Sequence, residues 1–136
     1  MTAMAPHQSL VAVIDDDVSM REALAGLISS FGFRTVSFGS AGGLLESKDA
    51  PPSCLVVDVQ MPGMGGLELQ SALAAADQHI PMIFVTSFPD DKTRARALAA
   101  GAAGFLGKPV DRDELLRHIH LALRSENPKG RGDGAP

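Results

Sequence analysis

Two kinds of apolar pattern alternate along this chain. Short unbroken runs rich in Val, Ile, Leu and Phe read as buried strands, and they fall at residues 10–14, 34–38, 54–58, 80–86 and 104–107. Between them the apolar period lengthens to that of a helix. From Val18 onward Leu24, Leu27, Ile28 and Phe31 recur on one helical face, and Gly32 is a natural stop. Ser40 can cap a short helix reaching about Ser47, weakened by Gly42 and Gly43 inside it. A third helix is predicted over residues 67–75, after Pro62 and the glycines that follow it force a turn. Pro89, Asp90 and Asp91 open a fourth with negative charge at its N-terminus, where the helix dipole favours it, and Gly101 closes it. Asp111 with Glu114 makes a capping-box pattern for a fifth, whose apolar face is Leu115, Leu116, Ile119 and Leu123.

Five strands alternating with five helices predict an α/β domain with a parallel sheet, right-handed crossovers and helices on both faces. The expected division is a loose lead over residues 1–9, a folded domain over 10–124, and a disordered tail over 125–136. Three glycines and two prolines leave that tail little to bury. In an open sheet of this kind ligands bind beyond the carboxyl ends of the strands, so the residues ending each strand carry the interest. Asp15 and Asp16 follow the first strand, Asp58 closes the third, Thr86 closes the fourth and Lys108 follows the fifth. An acid cluster, a hydroxyl and an ammonium are thereby expected to converge.

Composition narrows the field. A chain of 136 residues, 45% hydrophobic and 21% charged, is long enough for one ordinary globular core and too short for two. Its net charge of −4 and lack of a basic cluster argue against a nucleic-acid module, and with no Trp or Tyr there is no aromatic platform for stacking bases. The single cysteine, Cys54, sits in a predicted buried strand and reads as a core thiol. The apolar run at residues 10–14 ends in three aspartates, so neither a signal peptide nor a membrane span is expected, and cytoplasm is the default location.

Three carboxylates within a few ångströms repel, each close pair by a few kcal/mol at an effective dielectric of ~20. A hard divalent cation removes that repulsion, and oxygen-only ligands favour Mg²⁺. A lysine beside it suits a phosphoryl oxygen, and a carboxylate there can be a nucleophile, so the parts of phosphoryl transfer are present.

From Val11 to about Leu123 these residues, in this order and spacing, resemble the receiver domains of two-component response regulators, the CheY-like family. The resemblance implies a doubly wound, flavodoxin-like (βα)5 fold with strand order 2-1-3-4-5. It implies that Asp58 accepts a phosphoryl group from a sensor histidine kinase or a histidine phosphotransfer protein. Asp16 would then be a direct Mg²⁺ ligand and Asp15 one through water, with Asp58 and the backbone carbonyl of Gln60 completing the protein's share. Thr86 matches the switch hydroxyl, Lys108 the phosphate-binding lysine, Phe105 the switch aromatic and Pro109 the cis proline after the lysine. A change in the face formed by the fourth helix, fifth strand and fifth helix would carry the signal, with the ring of Phe105 turning inward as Thr86 moves. The expected protein is a single-domain phosphoacceptor without turnover on outside substrates. It would be a monomer or a phosphorylation-dependent dimer with a downstream protein target, and would contact neither nucleic acid nor membrane.

Other motifs compete. Asp15, Asp17 and Ser19 mimic the signature of haloacid dehalogenase-like phosphatases, which also combine an aspartyl nucleophile with Mg²⁺, and a small phosphatase of that type is the alternative function. Asp17 has the blander assignment of a helix N-terminal charge. Residues 101–108 faintly suggest a phosphate-binding loop, but the glycine spacing is one residue too long and Pro109 replaces the Ser or Thr that would hold a metal. His118 and His120, two apart on a helix, face different ways.

Overall fold

Each of the five apolar runs is a strand in the computed structural model of the protein, which describes residues 9–126. The chain runs β1 (Leu10–Ile14), α1 (Val18–Ser30), β2 (Arg34–Phe38), α2 (Ala41–Glu46), β3 (Cys54–Asp58), α3 (Gly66–Ala75), β4 (Met82–Thr86), α4 (Asp91–Ala99), β5 (Gly104–Gly107) and α5 (Arg112–Glu126). The strands form one parallel sheet in the order β2-β1-β3-β4-β5. Expectations for the lead and for most of the tail fall outside the described residues. Within them, α5 continues through Glu126, two residues past the expected domain end. β4 begins at Met82 rather than residue 80, because Pro81 has no N–H for the ladder, although its carbonyl still accepts from the Leu55 N–H at 2.9 Å.

Alternation along the strands sorts the core into two layers. Val11, Val13, Cys54, Val56, Ile83, Val85 and Leu106 meet Leu24 and Ile28 of α1 and Leu115 and Ile119 of α5. Ala12, Ile14, Leu55, Val57, Met82, Phe84 and Phe105 meet α2, α3 and α4 through Ala41, Leu44, Leu69, Leu73 and Ala97. Every residue of β3 and β4 is buried, which is why these central strands read as continuous apolar runs and why their last residues, Asp58 and Thr86, are rigidly placed.

The helix starts follow local chemistry. Asp17, Ser40, Asp90 and Asp111 each accept a backbone N–H three residues on, at 3.2, 3.1, 2.8 and 2.9 Å, satisfying donors the helix leaves open. At α3 the direction reverses, with Glu68 accepting from the Gly65 N–H at 2.7 Å. Gly32 and Gly101 follow their helices with φ of 101° and 100°, a region that favours glycine.

Gly66 is where α3 meets the end of β3. A Cβ there would lie 2.9 Å from the Asp58 carbonyl oxygen and 2.9 Å from the ring of Phe84, and both neighbours are fixed in the sheet. Overpacking of this kind costs about 1–3 kcal/mol. Gly66→Ala is therefore expected to lower the urea midpoint of unfolding with little change in slope, and an unchanged midpoint would show that α3 can shift freely from the sheet.

Candidate functional site

Parallel register brings the polar strand ends together. Ile14 lies opposite Val57, Asp58 opposite Val85 and Thr86 opposite Gly107, so Asp15, Asp58, Thr86 and Lys108 share the carboxyl edge of the sheet. Asp15 is fully buried, Asp58 is 7% exposed and Thr86 is buried, while Asp16 is exposed to solvent. One carboxylate oxygen from each of Asp15, Asp16 and Asp58 lies within 4.8 Å of the others. The Lys108 Nζ reaches into this group, 3.3 Å from Asp15 Oδ2 and 3.5 Å from Asp58 Oδ2.

The remaining carboxylate oxygens are held by the backbone. Asp15 Oδ1 accepts from the Asp17 N–H at 3.0 Å and Asp58 Oδ1 from the Gln60 N–H at 3.2 Å. Burial nevertheless pushes the Asp58 carboxyl above its ordinary range and the charge of Asp15 adds to the rise, against the lowering effects of the Gln60 amide and Lys108. One ammonium thus faces two buried acids and a third at the rim. That surplus of negative charge, presented by oxygen atoms alone with one acid open to water, fits a hard divalent cation that keeps part of its hydration shell.

Asp15, Asp16, Asp58 and Lys108 gather here, and Thr86 lies on the same edge of the sheet. Thr86 points its Oγ1 at the β4–α4 loop, where it accepts from the Phe88 N–H at 3.0 Å. Phe105 sits in the core layer beneath α4 and is only 8% exposed, so the expected inward turn of this ring starts from a ring that is already inside. The residue next to Gly104 on an edge strand has a core neighbour on its inner face, Phe84 by register, and apolar burial holds it there. The Lys108–Pro109 bond is cis. Gln60 contributes its N–H to Asp58, a contact that sequence spacing did not suggest beside the expected role of its carbonyl.

Asp17 is the N-cap of α1 and not a second acid of the site, accepting from the Met20 N–H at 3.2 Å. Two cavities, of about 520 and 280 Å³, lie away from the acid cluster, one reaching from Gln70 to Ala103 and the other from Leu10 to Ile80. Neither includes Asp15, Asp16 or Asp58 in its lining.

Comparison with known proteins agrees with this geometry. Residues 11–120 match the family described as response regulator receiver domain. Nodulation protein W of Bradyrhizobium diazoefficiens is 44% identical over 126 residues, covering 92% of this chain and 56% of that protein. Response regulator protein TmoT of Ectopseudomonas mendocina is 37% identical over 122 residues, covering 89% of this chain and 56% of that protein. The chain thus spans a little over half the length of these relatives. Among solved structures, response regulator StyR superposes with a TM-score of 0.80 at 39% identity, over 90% of this chain and 62% of that one. FixJ-N does so with a TM-score of 0.78 at 31% identity, over 85% of this chain and 94% of that one. With the strand order, the buried acids at the carboxyl edge and the match over residues 11–120 in agreement, the chain belongs to the response regulator receiver domains of two-component systems.

Proposed function

We propose that this domain accepts a phosphoryl group on Asp58 from a histidine kinase or a histidine phosphotransfer protein, with Mg²⁺ held by Asp15, Asp16, Asp58 and the Gln60 carbonyl. The observation that carries this reading is the pairing of a single ammonium, on Lys108, with two buried carboxylates. Bound Mg²⁺ would supply the missing positive charge and screen the incoming phosphoryl oxygens from the acids. The protein's own groups do the rest. Asp15 and Asp58 are each held by Lys108 and one backbone amide, but Asp15 is fully buried whereas Asp58, closing an entirely buried strand, retains some exposure and is the one of the two that an incoming phosphoryl group can reach.

In that transfer an Asp58 oxygen forms a bond to phosphorus while the phosphorus–nitrogen bond of the donor phosphohistidine breaks, and the nitrogen keeps the electron pair. The product carries roughly −1.5 to −2 charges where the ionised carboxylate carried one, and presents three acceptor oxygens. Lys108 and the Thr86 hydroxyl are the nearby donors; Thr86 Oγ1 accepts from the Phe88 N–H, which leaves its O–H proton to donate, and movement of that oxygen toward the phosphoryl group would pull on the β4–α4 loop. Because Phe105 is already inside, the group left to respond is the β4–α4 loop, which carries Phe88 at 69% exposure. A partner reading that loop would shift the population toward the phosphorylated arrangement. A net charge of −4 disfavours a phosphate backbone and supports a reading in which this stretch does not itself recognise nucleic acid.

Incubation with acetyl phosphate and Mg²⁺ tests the reading by intact mass. The expected result is a gain of one phosphoryl group per chain, absent with excess chelator. Many turnovers on a phosphomonoester, in place of stoichiometric labelling, would favour the phosphatase alternative.

A further inference from the structure

The peptide that carries the two N-terminal acids is held by a residue outside the site. Arg21 lies one helical turn after the N-cap Asp17, and its N–H donates to the Asp17 carbonyl at 2.9 Å. Helical side chains tilt toward the N-terminus, so from this position the guanidinium reaches back over the β1–α1 turn. There Nη1 donates to the main-chain carbonyl of Asp15 at 2.8 Å. No ion pair engages this guanidinium among the described residues; its charge-assisted bond is made to a neutral carbonyl.

The neighbouring chain leaves room for that route. A Cβ on Gly39, just after β2, would lie 3.2 Å from Arg21 Nη1 and 3.8 Å from its Cζ. The Asp15 N–H donates to the Phe38 carbonyl at 3.2 Å. Asp15 is thereby fixed through four atoms: its N–H by β2, its carbonyl by Arg21, Oδ1 by the Asp17 amide and Oδ2 by Lys108. Three of these holds come from the site's own strands and turn. The fourth is supplied by the half-buried helix side chain.

We propose that Arg21 is a positioning residue for the metal-binding acids, acting through the main-chain carbonyl of Asp15 to fix the turn that presents Asp15 and Asp16. This rests on the assignment of those acids to Mg²⁺. Two effects of Arg21 on that ion oppose each other. Its positive charge near the site repels a cation, so charge alone makes removal of Arg21 tighten Mg²⁺ binding. Its hold on the turn reduces the ordering that binding requires, so positioning makes removal weaken it. The sign of the change separates them.

The experiment is calorimetric titration of the full chain with MgCl₂, for wild type, Arg21→Ala and Arg21→Lys, with melting temperatures recorded in chelator. Loss of outer-shell partners typically costs 10–100-fold in metal affinity. Since Arg21 acts through one carbonyl, Arg21→Ala is expected to weaken Mg²⁺ about tenfold, the low end of that range. Arg21→Lys, which keeps a cationic donor, is expected to recover most of the loss. In acetyl phosphate labelling, Arg21→Ala should raise the half-saturating Mg²⁺ concentration and leave the rate at saturating Mg²⁺ near that of wild type. Equal or tighter Mg²⁺ binding by Arg21→Ala overturns the proposal, and a lower melting temperature with unchanged affinity assigns Arg21 to the fold alone. If Arg21→Ala does not fold, Arg21→Met keeps the length of the side chain without its donors, and wild-type affinity in that variant overturns it equally. Absence of Mg²⁺ binding in wild type would instead remove the metal assignment on which the proposal stands.

Discussion

Asp58→Asn is expected to gain no phosphoryl mass under conditions that label wild type fully, and to melt at a higher temperature than wild type in chelator at neutral pH. The first result follows from the loss of the nucleophilic oxygen. The second follows from the direction of the Asp58 pKa, which is raised from 3.8 chiefly by burial and further by Asp15. A carboxyl whose folded pKa lies above its unfolded one favours the fold when protonated. Its contribution is complete below the unfolded value and is lost as pH rises through the raised folded value, so at pH 7 the ionised side chain works against the metal-free fold.

Asparagine removes that charge while keeping an oxygen for the Gln60 N–H. For a domain of this size each kcal/mol of relieved strain raises the melting temperature by about 4 °C. Mg²⁺ should then stabilise wild type more than the variant, since a ligand favours the state that binds it. Thermal scans from pH 4 to 8, with and without Mg²⁺, read both effects. Identical melting of the two proteins in chelator would mean that Asp58 is well enough solvated to ionise at no cost, and labelling of the asparagine variant would move the acceptor elsewhere.

How much of this could be read from the residues differs by feature. Strands β3 and β4, buried on both faces, announce themselves as unbroken apolar runs, and in a parallel sheet their ends necessarily lie on one edge. Asp58, Thr86 and Lys108 were therefore legible from position alone. Helix boundaries were legible where a side chain caps, as at Asp17, Ser40, Asp90 and Asp111, and less so at α3, where Gly65 has no side chain and the cap comes from Glu68. The conformation of Phe105 was not legible, because β5 is a four-residue edge strand with one apolar side chain for each face, Phe105 and Leu106, and a single ring there can in principle face either the core or the rim. Arg21 was missed since its partner is a main-chain carbonyl. The available signal was its spacing, one turn beyond a capping acid, which places its side chain over the preceding loop.

The largest loss of stability among these site variants is expected for Lys108→Ala in the absence of metal. Its Nζ lies between Asp15, fully buried, and Asp58, with only 12% of the lysine side chain exposed. Removing one partner of a buried ion pair leaves uncompensated charge and typically costs 3–5 kcal/mol. Here the lysine serves two acids, but Asp58 can recover part of the loss by taking up a proton, since its pKa is already raised. We therefore expect about 3 kcal/mol at pH 7, the lower end of that range. The loss should shrink as pH falls and Asp58 protonates. Saturating Mg²⁺ should restore much of the stability, because a divalent ion among the same oxygens replaces the missing charge. It should not restore labelling, for which an ammonium is needed near the incoming phosphoryl oxygens. Urea unfolding in chelator and in Mg²⁺ separates these effects. A variant as stable as wild type in chelator would mean that the Asp17 and Gln60 amides alone suffice for the two buried acids, and that Lys108 belongs to the reaction and not to the fold.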